Sequence, residues 1–451
     1  MKKLICNILV ALVCGGCSLD IPYENQFSDP DAISGPAAAR ELLANAYANI
    51  PHLEFDLSVM TDDFAPTYWA SSNPTLLNQY DWQPQAIQDL SASTWSRYYS
   101  VISTINALTE RIATLDATPE LQQIHAEALT LKAYCYFQLV RLYGPDYLTD
   151  ADAESIVLKD ALAMANLRRS SVRAVLLEIK SLLNTALGEF GSSDTGTDWL
   201  GRDAARILLA QAQLYSGEYA QAAENAEMVL ASRGYEAFGA SVYSNLWEGS
   251  SCDERVFAYN SPVNSQSFYI GIVYDASAGD YFAVEPSLAA SYNEGDCRRE
   301  ASVYTIESPT LGKQDYFGKY NAIRKEKREI QLINKLRLSD ALFAYAEAAC
   351  LGGKENDAAL AMNEYLSRRG AQPLAANLSG DGLLKAILTE KHKEFVGEGN
   401  RYFDLKRYGR LVGGARVGMD DYRWCWPIPR DEYLYNENMT QNPVWPMTSF
   451  D

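Results

Sequence analysis

Histidine is scarce in this sequence. The 451 residues contain only three, His52, His125 and His392. Histidine is the commonest general base and metal ligand near neutral pH. The sequence also lacks an H-E-x-x-H pair, a G-x-S-x-G turn and a phosphate-binding P-loop, and after Cys17 it lacks the C-x-x-C spacing of a zinc site. We therefore expect no catalytic residue, no metal ligand and no cofactor.

Positive charge and long apolar runs are scarce as well. Lys and Arg number 39 against 58 Asp and Glu, which gives a formal net charge of −19. A chain this acidic is a poor candidate for binding nucleic acid or a polyanion. Beyond the N-terminus, no stretch is long and apolar enough to cross a bilayer.

The N-terminus has the pattern of a targeting segment. Met1-Lys2-Lys3 is positively charged, and a mainly apolar region of ten residues follows from Leu4 to Val13, too short to span a bilayer. Gly15-Gly16-Cys17 resembles a bacterial lipobox. We predict a signal peptide over 1–16, lipidation of Cys17, a tether over 17–34 and a single domain over 35–451. The alternative is ordinary cleavage near Gly16 that leaves Cys17 free.

Five further cysteines remain after cleavage: Cys135, Cys252, Cys297, Cys350 and Cys425. Cys135 and Cys350 lie within apolar helical patterns and are interpreted as small core residues. A disulfide between Cys252 and Cys297 is possible, but the sequence does not decide it.

Apolar periodicity predicts a mainly α-helical body. Residues spaced three and four apart indicate helices over 36–49, 93–115, 119–143 and 170–187. Two tighter helical pairs follow, 202–216 with 219–232 and 339–351 with 356–367. Alanines at their contacts suit close helix packing, as in tetratricopeptide repeats, where stacked pairs bury each other's faces. We expect about four such pairs, within 35–235 and 334–410.

Two irregular stretches interrupt this body. The first insertion, 56–85, and the second insertion, 257–319, are rich in Pro, Asn, Ser, Gly and aromatic residues. Long insertions often carry function, and these are expected to form a second lobe. Aromatic faces and polar side chains together suit sugars. The candidate ligand contacts are Asp62, Asp63, Tyr68, Trp69, Asn78, Tyr80, Trp82, Tyr269, Tyr274 and Tyr281. The alternative for Tyr80 and Trp82 is local core packing.

The stretch 390–409, called here the closing corner, is dense in charges of both signs. We predict that a helix ends near Gly397, that Asn400 caps the next helix, and that Asp404 lies in its first turn. We interpret the charges as a structural lock, not as a catalytic site. Its members are Glu390, Glu394, Glu398, Arg401 and Asp404. Arg401 is expected to pair with one of the three glutamates.

The C-terminal motifs resemble those of the SusD/RagB family. They are E-(K/R)-x-x-E-F, E-G-x-R-x-F-D-L-x-R-x-G, P-I-P and N-x-x-x-T-Q-N-P, all within 390–443. Gly397 departs from the bulky apolar residue usual in the family, and Val444-Trp445 replaces the usual Gly-Tyr. The resemblance implies four tetratricopeptide-like pairs and ligand contacts from the insertions. It also implies a lipoprotein that captures nutrient at the outer-membrane surface.

From this resemblance we expect an oligosaccharide-binding protein that is not an enzyme. It would be lipid-anchored in the outer membrane, surface-exposed, and would deliver its ligand to a SusC-like TonB-dependent transporter. Three alternatives stay open: an oligopeptide ligand as in the RagB branch, a surface glycosidase, and a scaffold without ligand. A glycosidase would need paired carboxylates, and the adjacent Asp62 and Asp63 point apart unless the loop folds them together.

Overall fold

The computed structural model describes residues 33–160, 167–192, 196–262, 281–308, 312–319 and 330–446. Cys17, Tyr269 and Tyr274 lie outside the described residues, and the roles predicted for them stay predictions. Within the described residues the chain is mostly helical with a few short strands. The predicted mainly α class is thereby confirmed.

The helices follow one another from the N-terminal body to the C-terminal tail. They are α1 (Pro36–Ala48), α2 (Glu54–Val59), α3 (Pro74–Tyr80), α4 (Pro84–Ile112), α5 (Pro119–Tyr143), α6 (Val172–Glu189), α7 (Arg202–Tyr215), α8 (Tyr219–Arg233), α9 (Ala240–Glu248), α10 (Pro286–Ala289), α11 (Cys297–Ser302), α12 (Leu338–Leu351), α13 (Glu355–Arg368), α14 (Gly380–Phe395), α15 (Asn400–Val412) and α16 (Arg430–Tyr435). In the described ranges, 3₁₀ turns cover Tyr68–Ser72, Tyr235–Phe238 and Tyr422–Trp424.

Local sequence explains most helix boundaries. Proline occupies the first turn of α1, α4 and α5, where its missing N–H costs nothing. Thr118 caps α5, its side chain accepting from the Leu121 amide. Helix α4 starts nine residues before the predicted position 93. It does so because Pro84 opens it and Ile87, which is fully buried, extends its apolar face.

The body is a stack of antiparallel helical neighbours. Helices α7 and α8 pack against each other and against α12, which pairs in turn with α13. Ala210 of α7, Ala226 of α8 and Ala344 of α12 form one buried cluster. Small side chains at this contact let the three helix backbones approach closely, as the alanine pattern predicted.

Six short strands form three antiparallel pairs in the described residues. They are β1 (Phe64–Pro66) with β3 (Phe282–Val284), β2 (Arg255–Pro262) with β6 (Ile330–Arg337), and β4 (Val303–Ser308) with β5 (Gly312–Phe317). Phe64 pairs with Val284 and Pro66 with Phe282. The β1–β3 pair therefore joins the first insertion to the second.

The two largest buried cores of the described residues hold these layers together. The larger core fills the helical body, and the smaller one lies where the two insertions meet. The smaller core includes Phe55, Val59, Phe64, Trp247, Phe282, Val284 and Phe317. Burying an aromatic or branched side chain contributes about 1.5–3 kcal/mol, so this core holds the insertions in a packed arrangement.

The closing corner turns through two left-handed glycines. Helix α14 ends at Phe395, Gly397 has φ 77° and Gly399 has φ 79°. A Cβ at Gly397 would lie 2.4 Å from the Phe317 ring. That ring occupies the space which a bulky residue would need, and so accounts for the departure at Gly397. The predicted helix stop is confirmed.

Two details of the predicted corner are wrong. The N-cap of α15 is Gly399, and Asn400 is already helical with no side-chain cap bond. Asp404 is not in the first turn of the helix. Its carboxylate accepts from Lys391 Nζ at 2.7 Å, so an ion pair, not the helix dipole, stabilises its charge.

Val444 adopts a left-handed conformation with φ 71° and is 75% exposed. A β-branched residue there is strained by about 1–2 kcal/mol. Replacing Val444 with Gly should therefore raise stability by about 1 kcal/mol, because the strain exceeds the entropy that Gly costs. Thermal melts should show a small increase in Tm. Val444→Ala keeps a Cβ and should gain less; equal Tm values for both variants and the parent would contradict the strain.

The five described cysteines carry free thiols. Cys252 and Cys297 are therefore not joined by a disulfide in this structure. Burial raises the pKa of the Cys297 thiol to about 12 and that of Cys252 above its ordinary value, which makes both poor nucleophiles. Among the described helices, none combines the length and the apolar character that a membrane crossing requires.

Candidate functional site

Tyr68 and Trp69 form an exposed aromatic pair on the first insertion. Thr67 caps their 3₁₀ turn by accepting from the Trp69 amide, and the Thr67 amide donates to the Tyr281 carbonyl at 2.9 Å. Tyr68 is 73% exposed and Trp69 46% exposed, with ring centroids 5.2 Å apart in an edge-to-face arrangement. The only buried residue of the turn is Ala70. The turn thus buries Ala70 and leaves both rings at the surface.

Other predicted contact residues surround this pair. Asn78 is exposed on α3, and Tyr80 at the end of α3 is partly buried against Phe282, with ring centroids 5.7 Å apart. Tyr281 is partly buried at the start of the segment that leads into β3. Pairing of β1 with β3 therefore brings candidates from both insertions to one surface.

Arg416 belongs to this surface although the sequence reasoning did not include it. Its guanidinium carbon lies 3.6 Å from the centroid of the Tyr80 ring. The Nε donates to the Thr61 carbonyl at 3.0 Å, and Nη2 donates to the Phe64 carbonyl at 2.5 Å. Arg416 follows the closing corner by only a few residues, yet nothing in the sequence places it beside the first insertion.

Trp82 is a core residue, and its prediction as a ligand contact is wrong. It is fully buried, and its Nε1 donates to the Met60 carbonyl at 2.8 Å. Its ring stacks on Tyr402 and meets Trp424 edge-on at 4.6 Å between centroids. The core-packing alternative for Trp82 is the correct one, because no face of the ring reaches solvent.

Asp63 is also buried, and its prediction as a ligand contact is wrong too. Its Oδ1 lies 2.9 Å from His392 Nε2, and its Oδ2 accepts from the Gly397 amide at 3.1 Å. Asp62 is 22% exposed, but both of its oxygens accept from Arg401, each at 2.7 Å. These carboxylates hold the closing corner, which leaves them unsuited to a glycosidase pair.

The predicted partner of Arg401 is therefore corrected as well. Arg401 pairs with Asp62, not with Glu390, Glu394 or Glu398. The left-handed Gly399 directs α15 toward the first insertion, and the Gly399 amide donates to Ser58 Oγ at 3.0 Å. The sequence shows the charges of the corner, but a partner more than 300 residues away is set by tertiary packing.

The three glutamates of the corner instead enter a buried network of ion pairs. Glu394 accepts from Arg337 at 2.6 Å and from Arg369 at 3.1 Å, and all three side chains are fully buried. Burial alone would raise the pKa of Glu394, but the charges of these arginines outweigh it and hold the pKa well below its ordinary value. Glu394 therefore stays ionised at neutral pH.

The network continues on both sides of Glu394. Glu398 accepts from Arg337 at 2.8 Å and from Lys319 at 2.7 Å, while Glu390 accepts from Arg298 at 2.6 Å. Lys319 and Arg298 belong to the second insertion. The closing corner is thus bonded to both insertions, an arrangement that suits the predicted structural lock.

We expect the Asp62–Arg401 pair to be energetically coupled. In a double-mutant cycle of Asp62→Ala and Arg401→Ala, the coupling should be about 1–3 kcal/mol, as for contacting charged residues. Burial raises the pKa of Asp62, but hydrogen bonds from Arg401 and the charges of His392 and Arg401 lower it overall. A carboxyl whose pKa is lowered in the folded state contributes its full stabilisation at neutral pH. This stabilisation is lost as the pH falls below the ordinary pKa of 3.8.

Thermal and urea melts of the single and double variants at pH 7 measure this coupling. A cycle between Arg401→Ala and Glu390→Gln is the control and should be additive, because these residues have separate partners. Additivity in the Asp62 cycle would show that the contact contributes nothing.

Three cavities lie between the closing corner and the helical body. Their volumes are about 50, 40 and 20 Å³, and Arg141 and Phe403 line all three. Binding pockets for small molecules are usually about 300–1,000 Å³, whereas one water needs about 10–15 Å³. These three cavities suit water molecules and are too small for a glycan. Within the described ranges, no cluster of three or more His, Cys, Asp or Glu side chains could hold a metal ion.

Two family models match the chain. Residues 22–190 match a model described as starch-binding associating with outer membrane, and residues 301–423 match the SusD family. Among curated proteins, none matches this sequence.

Solved structures share the fold. A SusD superfamily protein from Bacteroides thetaiotaomicron VPI-5482 is 22% identical with a TM-score of 0.76, covering 90% of this chain and 99% of its own. A SusD superfamily protein from Bacteroides vulgatus ATCC 8482 is 21% identical with a TM-score of 0.77, and the match covers 91% of this chain and 99% of that protein. A laminarin binding SusD-like protein is 20% identical with a TM-score of 0.72, covering 91% and 99%. The two family models, which together match more than half of the chain, show that it belongs to the SusD/RagB family.

Proposed function

We propose that this protein binds an oligosaccharide at the surface formed by Tyr68, Trp69, Asn78, Tyr80 and Tyr281. The observation that carries the proposal is the exposed aromatic pair, because two large rings are held at the surface and keep much of their area open to solvent. Such rings offer flat apolar faces to sugar C–H groups, and the Asn78 amide both donates and accepts hydrogen bonds. A laminarin binding SusD-like protein has the same fold, which supports a glycan as the ligand class.

We further propose that the protein is an outer-membrane lipoprotein, anchored through Cys17 and facing outward. Several acyl chains, each methylene contributing about 0.8 kcal/mol, would hold it on the membrane. The tether 17–34 would keep the ligand surface clear of the lipid. Captured glycan would pass to a SusC-like TonB-dependent transporter, which would supply the energy for uptake.

The proposed role is binding without catalysis. Asp62 and Asp63, the one carboxylate pair considered for glycoside hydrolysis, are occupied by Arg401 and by His392 with the Gly397 amide. A peptide ligand, as in the RagB branch, would use the same exposed rings and is the principal competing outcome of the binding test.

Trp69→Ala should weaken glycan binding about five-fold without changing Tm. One exposed aromatic contact contributes on the order of 1 kcal/mol, and a side chain this exposed adds little to stability. Isothermal calorimetry on the soluble form lacking residues 1–17, with oligosaccharides from laminarin, starch and plant cell walls, measures the affinity. Tyr68→Ala should behave in the same way.

Tyr435→Ala is the matched control, since Tyr435 is 77% exposed but lies on α16, outside the proposed surface. It should leave both affinity and Tm unchanged. Glycan binding that is indifferent to Trp69 and Tyr68 would exclude this surface. Binding of mixed peptides but of no glycan would replace the proposed ligand with an oligopeptide.

A further inference from the structure

Arg416 is held rigidly beside the proposed glycan surface. Its Nε and Nη2 are bonded to the Thr61 and Phe64 carbonyls, and one face of the guanidinium lies on the Tyr80 ring. A side chain fixed in this way loses little further entropy when a ligand binds, which favours affinity. Arg416 therefore presents a positive charge in a preset position.

One nitrogen of this guanidinium remains available. Within the described residues Nη1 makes no hydrogen bond, and it is not among the buried polar atoms that lack a partner. Nη1 therefore keeps some solvent-exposed surface. An arginine nitrogen can only donate, so the group it would bind must carry an acceptor oxygen.

Arg416 also differs from its neighbours in charge pairing. Arg401, Arg410 and Arg423 each form an ion pair with an aspartate. No carboxylate of the described residues lies within 4.0 Å of the Arg416 guanidinium. Asp62, the carboxylate next to Thr61, is already bonded to Arg401. Arg416 thus forms no ion pair with the described residues.

The position of Arg416 fits one continuous ligand surface. Phe64, whose carbonyl it binds, starts β1, and the chain reaches Tyr68 four residues later, at most about 14 Å away. Tyr80, on which it stacks, packs against Phe282 of the partner strand. An oligosaccharide of a few units lying on Tyr68 and Trp69 can extend to Arg416.

We propose that Arg416 is a specificity-determining residue that selects glycans bearing a carboxylate, that is, oligosaccharides containing a uronic acid. The inference rests on the proposed function. A carboxylate accepting from Nη1 forms a charge-assisted hydrogen bond, which is about twice as strong as a neutral one. The formal charge of −19 disfavours binding of a densely charged polyanion. Charges more than about 8 Å away are screened at physiological salt, so for an isolated carboxylate the local contact with Arg416 determines the affinity.

The first test changes the ligand and leaves the protein intact. Hexasaccharides containing galacturonate, glucuronate or mannuronate are compared by calorimetry with the same hexasaccharides after carboxyl reduction to the primary alcohol. The uronate form of at least one should bind about ten-fold more tightly, as expected for a hydrogen bond to a charged group. Raising NaCl from about 50 to about 500 mM should reduce this preference but not the affinity for the reduced form.

The second test changes Arg416. Arg416→Gln should abolish the preference for the uronate form over the reduced form, whereas Arg416→Lys, which keeps the charge, should retain part of that preference. Trp69→Ala should weaken both forms equally. Arg416 also donates to two backbone carbonyls, so Tm is measured for each variant. If Arg416→Gln does not fold, the comparison of uronate and reduced hexasaccharides on the parent protein still tests the selectivity.

The outcomes separate the two proposals. Equal binding of charged and reduced forms, still dependent on Trp69, overturns the inference and leaves the glycan function standing. A preference for uronate that persists in folded Arg416→Gln also overturns it. If neither form of any hexasaccharide binds and other glycans fail as well, the proposed function falls, and this inference with it.

Discussion

Replacing Arg369 with Met should lower the free energy of unfolding by about 3–5 kcal/mol, the usual cost of leaving a buried charge without its partner. Arg369 is fully buried, where it pairs with Glu254 at 2.8 Å and Glu394 at 3.1 Å. Its Nη1 also donates to the Phe238 carbonyl, and its guanidinium lies 4.2 Å from the Tyr243 ring centroid. Met fills a similar volume but cannot neutralise two carboxylates. Urea and thermal melts measure the loss.

Arg368→Met is a control at the adjacent position. Arg368 pairs with Glu236 at 2.6 Å, but these side chains are 36% and 81% exposed. Solvent-exposed pairs contribute under about 1 kcal/mol, so this variant should melt close to the parent. If Arg369→Met proves as stable as Arg368→Met, the buried network is not what holds the closing corner.

The reason for this large effect is the position of the network in the chain. Glu254 precedes β2, Arg337 ends β6, Arg369 follows α13 and Glu394 is near the end of α14. Arg337 bonds to both Glu254 and Glu394, at 2.7 and 2.6 Å. Segments distant in sequence thus meet around a few charges. We expect the loss of one member to loosen the second insertion as well as the corner.

Trp82→Ala should cost about 3–5 kcal/mol, as for other large-to-small changes of buried aromatic residues. The change removes the stack on Tyr402 and the edge contact with Trp424, and leaves the Met60 carbonyl without the indole N–H. Glycan binding should fall only as far as the protein unfolds. Thermal melts followed by calorimetry below the new Tm separate the two effects.

Trp69→Ala is the natural comparison, since it removes the same side chain from the same insertion. It should weaken glycan binding and leave Tm unchanged, because Trp69 is 46% exposed whereas Trp82 is fully buried. A stable Trp82→Ala variant that has lost glycan affinity would mean that Trp82 reaches the ligand after all.

Much of the fold was predictable because its signals are local. Helix α5 begins and ends as predicted because Thr118 and Pro119 open it and Gly144-Pro145 follow it. The α7–α8 and α12–α13 pairs were found from their alanines and glycine turns to within a residue at each end. Helix α4 begins nine residues before its predicted start because Pro84 opens it and Ile87 extends its apolar face.

The candidate site was predictable only in part. Composition located the first insertion, but it could not rank Trp69 above Trp82, since two tryptophans thirteen residues apart carry the same chemistry. Their different burial comes from α15, whose Tyr402 covers Trp82 and leaves Trp69 at the surface. Arg416 was missed because its neighbours Thr61 and Phe64 lie more than 350 residues earlier.

By itself, the sequence determined the helical body, the closing motifs and the two insertions, because periodicity, caps and glycine turns act between residues close in the chain. Only the tertiary structure decided which charges meet. From the sequence alone, Asp62 could contact a ligand or Arg401, and the turn of the chain at Gly399 is what brings Arg401 to it. Glu394 could likewise have paired within its own helix. Partner choice among many charges depends on burial and on contacts between distant segments, and these exist only once the chain has folded.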